Sequence, residues 1–202
     1  GWWEFAGPLP LDPVLTAAAD SFVALGYHGT SVREIARRAG LSVPGLYHHH
    51  RGKQQMLAAV LTVAMEDLRW RLEAADAEGA DDPVHRLELL VRALVLYHCH
   101  RPGPALLAAT ELRHLEPPHR RRIAARRVAV QRLVDTAVLD GSARGAFRVR
   151  YPLDASRAVV TMAVSVAGWF RAALPLGPED VADRYVEFAA SLLHHREPPR
   201  RF

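Results

Sequence analysis

Prolines and glycines divide this sequence into segments that each carry a helical hydrophobic period. Proline is tolerated in the first turn of a helix, where an N–H would be unpaired anyway, and it stands there after Asp12 and again at Pro44. No long stretch alternates apolar and polar residues as a strand would; the nearest, residues 147–151, is short. The chain is therefore predicted to be all-α.

About nine helices are predicted. They cover residues 14–25, 31–39, a short segment after Ser42, and then 53–77, 83–100, 104–115, 118–140, 153–174 and 178–195. We expect an N-terminal tail over residues 1–11, a small helical domain over 12–55, a larger helical domain over 56–195, and a C-terminal tail over 196–202.

Charge and cysteine content indicate the kind of partner and the cellular compartment. The formal net charge is +4, and residues 30–53 hold five of the basic side chains against the single acid Glu34. This excess suits an anionic partner. Cys99 is the only cysteine, so an internal disulfide is impossible, which fits a reducing cytoplasm. The uncharged stretch 158–170 is shorter than the roughly 18 residues that span a bilayer, and residues 1–5 do not form a secretory signal.

Two helix starts lie close together between residues 30 and 45. Ser31 with Glu34 fits the Ser-x-x-Glu capping box. Gly40 ends that helix, and Ser42 then caps a third, short helix that contains Pro44. Two short helices joined by a glycine-containing turn are the layout of a helix-turn-helix.

The segment 26–53 resembles the DNA-binding segment of the TetR (tetracycline-repressor) family. The matching features are Gly-Tyr before Thr-Ser-Val, Ile-Ala before Ala-Gly, and then Ser42, Gly45, Leu46-Tyr47, His49 and Lys53 in register. The agreement covers residues 14–60. The resemblance implies a three-helix head followed by a helical ligand-binding and dimerisation domain. Further along, residues 169–185 look like the last two helices of family members that sense acyl-CoA-type or other lipophilic ligands.

The predicted DNA-binding residues follow from the third helix and from the resemblance. The exposed face of that helix would offer base-edge contacts from Ser42, Val43, Pro44, Gly45 and His48. The resemblance implies phosphate contacts from Thr30 or Ser31, from Tyr47 with His48, and from Lys53. Tyr47 as an ordinary core residue, and Lys53 as a solvated one, are the alternatives.

Two features depart from the family pattern. His50 stands where family members usually carry phenylalanine, so it must either pack neutral or leave the small core looser. Basic residues that lead into the first helix of other members are replaced by residues 8–12, Pro-Leu-Pro-Leu-Asp. Weaker non-specific DNA binding is expected.

No metal or cofactor is predicted. Adjacent residues on a helix point about 100° apart, so His48, His49 and His50 cannot easily share one ion. The same argument applies to Cys99 and its two histidine neighbours, and a buried thiol is the simpler interpretation.

The C-terminal half is expected to pair two chains and to bind an effector. The eighth helix is apolar over most of its circumference, which predicts burial on more than one side, and with the amphipathic ninth helix it would form a four-helix bundle in a homodimer. Candidate ligand-binding residues are Trp70, Tyr97, His98, Glu111, Arg113, Trp169 and Arg171. The arginines at 120, 121, 122, 126, 127 and 132 are either a solvated face or, for a coenzyme A thioester, phosphate ligands.

These features predict a cytoplasmic regulator of transcription. It would be a repressor that is released from a palindromic double-stranded DNA operator by a small lipophilic or acyl-CoA-like molecule. An activator of transcription, rather than a repressor, is the alternative within this class. A helical small-molecule-binding protein without DNA binding is the alternative class. An enzyme is disfavoured because the sequence has no His-Glu-x-x-His, no Gly-x-Ser-x-Gly and no phosphate-binding loop.

Overall fold

A computed structural model describes residues 1–173 and 175–194, and all secondary structure in this part of the chain is helical. It contains nine α-helices and one short 3-10 helix, Leu112–His114. The α-helices are α1 Pro13–Gly29, α2 Val32–Arg38, α3 Val43–His49, α4 Lys53–Glu78, α5 Pro83–His100, α6 Pro102–Thr110, α7 Pro117–Ala143, α8 Pro152–Trp169 and α9 Pro178–His194. The predicted all-α class is confirmed.

Some helix ends differ from the prediction. The segment expected as one helix over 104–115 is α6 followed by the separate 3-10 turn. Helix α8 ends at Trp169 rather than near residue 174, because Phe170 has an extended backbone (φ −63°, ψ 136°). Leu174 and the residues from 195 onward lie outside the described residues.

The chain divides into two compact units. One contains residues 4–69 and 101–128, and the other contains 1–3, 70–100 and 129–202. The predicted domain boundary near residue 55 does not coincide with this division, and it stays a prediction. None of the helices in the described part is both long and apolar enough to cross a bilayer.

In the unit that contains α5, α8 and α9, the most completely buried helix is α5. Its residues 93–99 are all buried, and it packs against both α8 and α9. Helix α8 buries one face, through Val159, Ala163 and Val166, while Val164 and Trp169 are 36% and 42% exposed. Burial of α8 on a second side stays a prediction, because it depends on a second chain. The second face of α8 is free in the single chain.

Two apolar side chains of the N-terminal segment are buried. Trp2 is 6% exposed; its Nε1 donates to Glu78 Oε2 at 2.8 Å, and Arg71 donates to its carbonyl oxygen. In the other unit, Leu9 is buried just before the Asp12 cap of α1. Trp2 and Leu9 are thus anchored, because burying large apolar side chains removes their surface from water, whereas most residues over 1–11 are exposed, and the expected tail stays a prediction.

A buried polar cluster joins α7 to α8. Ser156, which is fully buried, donates its hydroxyl to Asp135 Oδ1 at 2.6 Å. Gln131 Nε2 donates to the same carboxylate oxygen at 2.9 Å and to Ser156 Oγ at 3.0 Å. Each buried polar atom thereby has a partner, as burial requires.

We expect Ser156→Ala to lower the free energy of unfolding by about 1–2 kcal/mol, because it leaves part of a buried network without its partner. Urea unfolding followed by circular dichroism measures the change. Ser165→Ala is the control on the same helix, since that exposed hydroxyl donates only to the Met162 carbonyl. Equal losses in the two variants would contradict the role of the network.

Candidate nucleic-acid interface

Helix α1 begins at the Asp12 cap and is interrupted at Gly26. Asp12 accepts a hydrogen bond from Leu15 N at 2.8 Å, and Pro13 occupies the first helical position. Gly26 has φ 69°, which kinks the helix before the chain continues to Gly29. Residues with a side chain rarely adopt this backbone angle, so glycine is favoured at the kink.

Helices α2 and α3 have seven residues each, and both begin as predicted. Ser31 Oγ accepts from Glu34 N at 3.1 Å, and Ser42 Oγ accepts from Gly45 N at 3.1 Å. Helices of this length are unstable alone. They are held by apolar residues that are buried completely or nearly so: Phe22 of α1, Ile35 and Ala36 of α2, and Leu46 of α3.

The burial of Leu46 decides which side of α3 faces outward. Ser42, Pro44 and His48 are exposed, and Val43 and Gly45 are partly exposed. Tyr47, beside the buried Leu46, is 49% exposed. The structure therefore brings the predicted contact residues of α3 onto one accessible segment, with Tyr47 outside the core.

His50 closes the end of α3 in a way that the sequence did not reveal. Its Nε2 lies 3.1 Å from Asp12 Oδ2, so the side chain reaches the cap of α1. Partial burial would raise the pKa of Asp12, but hydrogen bonds from Leu15 N and from His50 outweigh burial and lower it. A polar contact to Asp12 thus occurs at the position where family members usually carry phenylalanine.

Lys53, at the first residue of α4, uses its ammonium group inside the protein. Nζ donates to the Tyr27 carbonyl at 2.6 Å and to the Thr30 carbonyl at 2.7 Å, and it lies 4.2 Å from the centre of the Tyr27 ring. Partial burial lowers the pKa of Lys53 below its ordinary value. An ammonium has three N–H donors, and these two bonds use two of them.

Thr30 requires a correction. It is 2% exposed, and its hydroxyl is shared between the carbonyls of Ser21 and Gly26 at 3.0 and 2.7 Å. The predicted phosphate contact from its side chain is therefore not available. Ser31, the other member of that prediction, is exposed.

Much of the positive charge on α2 is balanced locally. Both Arg37 and Arg38 donate to Glu34, at 2.7–2.9 Å. The hydrogen bonds from Arg37 have the largest effect on the pKa of Glu34, followed by that from Arg38, and together they lower this pKa to about 2. Arg33 is exposed. The head therefore offers less free positive charge than its arginine count indicates.

A cluster that the sequence did not reveal joins the end of α1 to the 3-10 helix. The rings of Tyr27 and His114 stack with centroids 5.7 Å apart, and Glu111 accepts from Tyr27 N at 3.2 Å. Gln54 donates to the Tyr27 hydroxyl at 2.8 Å and to the His114 carbonyl at 2.7 Å. Glu111, a predicted ligand-binding residue, is thus occupied in holding this cluster, and no sequence signal points to it.

The other predicted ligand-binding residues are not brought to one place. Tyr97 and His98 are buried in α5, whereas Trp70 is 53% exposed. Trp169 stacks on Tyr185 of α9 with centroids 6.4 Å apart. Two arginines complete the set: Arg171 donates to carbonyls at the end of α8, and Arg113 lines an open cleft.

Two family models of known proteins match the N-terminal and C-terminal parts of the chain. The family model described as bacterial regulatory proteins, tetR family, matches residues 14–60. The model described as tetracyclin repressor-like, C-terminal domain, matches residues 80–193. A curated relative is the HTH-type transcriptional repressor KstR2 of Mycolicibacterium smegmatis, which is 30% identical over 87% of this chain and 86% of its own length.

Two solved structures are similar over most of the chain. A tetR-family regulatory protein from Rhodococcus RHA1 has a TM-score of 0.84 at 28% identity and covers 92% of this chain and 97% of its own. AibR in complex with isovaleryl coenzyme A and operator DNA has a TM-score of 0.76 at 27% identity and covers 87% of this chain and 95% of its own.

The capped α2–α3 pair and the helical region that follows define a helix-turn-helix regulator of transcription. The chain belongs to the tetR family of bacterial regulatory proteins. The resemblance carried by residues 26–53 is confirmed.

His98 makes the stability of the protein depend on pH. Burial lowers its pKa from 6.5 to about 4, against the opposing effect of its hydrogen bond with the Leu94 carbonyl. Between these values the unfolded chain binds a proton that the folded chain does not, so stability falls as the pH falls through this window. The expected loss is about 3 kcal/mol.

Urea unfolding at several pH values between 4 and 6.5 (the two pKa values) measures this slope. In His98→Asn the free energy of unfolding should no longer fall with pH by the amount that His98 contributes, even if the overall stability is lower. His85→Asn is the control, because His85 is exposed on the same helix. An unchanged slope in His98→Asn would show that this imidazole is not buried in its neutral form.

Proposed function

We propose that this protein is a cytoplasmic transcriptional repressor that binds a palindromic DNA operator as a homodimer and is released by an acyl-CoA-like molecule. The observation that carries the proposal is the accessible face of α3, where the core residue Leu46 forces Tyr47 and His48 outward. A helix presented in this way can enter the major groove.

The chemistry of α3 favours contacts to methyl groups and to the backbone over bidentate base reading. Val43 and Pro44 supply apolar surface for thymine methyls, and Gly45 lets the helix approach closely. Tyr47 and His48 supply hydrogen-bond donors for phosphates, together with the exposed Ser31 and the remaining N–H of Lys53. Because few of these groups discriminate bases, part of the specificity must come from DNA shape and from the spacing of half-sites.

The second face of α8 supports a dimer. Small side chains line it at helical spacing, at Ala158, Thr161, Ser165 and Gly168. An aromatic ridge continues it, in which Trp169 stacks on Tyr185 and Tyr185 contacts Phe188. Phe188 is 54% exposed and Leu192 is 39% exposed. Exposed apolar surface of this kind is typical of a protein interface, and α8 and α9 would form the predicted four-helix bundle with their copies.

We expect Phe188→Glu to raise the dimer dissociation constant at least tenfold, about 1.4 kcal/mol, because a charge replaces an aromatic anchor. Sedimentation velocity over a concentration series measures it. Leu139→Glu on α7 is the control, since Leu139 is 45% exposed and lies outside the ridge. A dimer unaffected by Phe188→Glu would contradict pairing through α8 and α9.

The ligand class is supported by the relatives. AibR was solved with isovaleryl coenzyme A and operator DNA bound, and KstR2 is a repressor. For this chain we propose a ligand of the same chemical class. Addition of acyl-CoAs to the protein–DNA complex, followed by fluorescence anisotropy, tests release directly.

For DNA binding, Tyr47→Phe isolates one hydroxyl. Its loss should weaken binding at least tenfold, as loss of a hydrogen bond to a charged group does, and to the same extent for every DNA sequence because phosphates carry no sequence information. Fluorescence anisotropy with promoter fragments at fixed salt measures the effect.

Tyr151→Phe is the control for the Tyr47 variant, because Tyr151 is equally accessible (58% exposed) just before α8. It should bind as the unaltered protein does. If the unaltered dimer shows no preference for any promoter fragment, the repressor proposal fails, and a helical small-molecule-binding protein without DNA binding is the reading that remains.

A further inference from the structure

An open cleft of about 490 Å³ lies in the unit that contains the helix-turn-helix. Its walls come from the end of α6, from the 3-10 helix and from the first half of α7. The lining residues are Ala109, Thr110, Leu112, Arg113, Arg120 and Arg127. The volume is within the range of about 300–1,000 Å³ that is usual for small-molecule sites.

Three of the six lining residues are arginines, and two of them have no partner. The side chains of Arg120 and Arg127 make no hydrogen bond or ion pair within the part of the chain that the structure describes, and the Arg113 side chain donates to His114 Nε2 at 3.2 Å. The neighbouring Arg126, by contrast, forms an ion pair with Glu66 at 3.1 Å. No acidic residue occurs between Glu116 and Asp135, so the half of α7 that lines the cleft supplies no negative charge that could neutralise it.

The spacing of these arginines suits more than one anionic group. Arg120 and Arg127 are seven residues apart, two helical turns along the same side of α7, which corresponds to roughly 10 Å along the axis. Arginine binds phosphate oxygens through two parallel N–H donors. Leu112 and Ala109 add apolar wall beside them.

We propose that this cleft binds the phosphate-bearing nucleotide end of a coenzyme A thioester, with Arg113, Arg120 and Arg127 as the phosphate ligands. The inference rests on the proposed function, because it supplies the binding site for the polar half of the effector. The volume of the cleft and its apolar wall at Ala109 and Leu112 favour a small ligand over a DNA backbone. DNA contact by the same arginines is therefore an outcome that the test must distinguish.

Isothermal titration of the full-length dimer with adenosine 3′,5′-bisphosphate and with coenzyme A tests the proposal. Adenosine without phosphates serves as the reference ligand. The variant is Arg120→Gln with Arg127→Gln. The matched control is Arg121→Gln with Arg132→Gln, which removes the same charge from exposed positions of α7 outside the cleft.

We expect saturable binding of both phosphorylated ligands and at least a tenfold loss in the cleft variant, since each lost charged hydrogen bond is worth about that factor. The control should stay within about twofold, as expected for exposed charges screened by salt. Equal losses in the two double variants, no binding to the unaltered protein, or equally tight binding of adenosine would overturn the proposal.

Anisotropy with promoter DNA, in the absence of nucleotide, separates the remaining cases. Normal DNA binding by the cleft variant, together with lost nucleotide binding, supports the inference. Weakened DNA binding in the cleft variant but not in its control would assign these arginines to DNA and contradict it. If the unaltered protein binds nucleotide through the cleft but no DNA, the repressor proposal fails while the anion site itself stands.

Discussion

The head of this protein depends on the ammonium group of Lys53. Its two hydrogen bonds to the carbonyls of Tyr27 and Thr30 tie the start of α4 to the end of α1, and so they close the chain segment that contains α2 and α3. Neither of these seven-residue helices is stable without such a frame. The closed segment then needs only a small core, centred on Phe22, Ile35 and Leu46, to fix the outward side of α3.

The same interaction explains why the charge of the head is not all available to DNA. Lys53 retains one N–H donor, Arg37 and Arg38 share Glu34, and Thr30 turns its hydroxyl inward. The accessible groups include Tyr47, His48, Ser31, Arg33 and Arg51. The protein presents a short helix with few charged groups, so accurate placement of α3 matters more for binding than the total of positive charge.

Much of this could be predicted from the sequence, because caps are local. Asp12, Ser31 and Ser42 each bond to an N–H three residues ahead, and that spacing is readable in any sequence. The direction of Lys53, the contact between His50 and Asp12, and the Tyr27–His114 stack join residues 26, 38 and 87 positions apart in the chain. Such contacts depend on how helices cross, which periodicity does not specify.

The arginine run of α7 illustrates the same limit. From the sequence alone, these arginines are either a solvated face or phosphate ligands, because the spacing of residues on a helix does not show which side of the helix lines a cavity. The structure separates its members: Arg126 pairs with Glu66, whereas Arg120 and Arg127 face the cleft. The exposed face of α8 is a similar case, since its apolar residues are accounted for only when a second chain is considered.

Hydrogen exchange of the dimer with and without a promoter duplex tests the central claim most directly. Binding through α3 predicts slower exchange of the backbone amides of residues 42–49 when DNA is present, since the helix is then enclosed in the groove. Unchanged exchange over these residues, together with slower exchange only in other helices, would contradict the account.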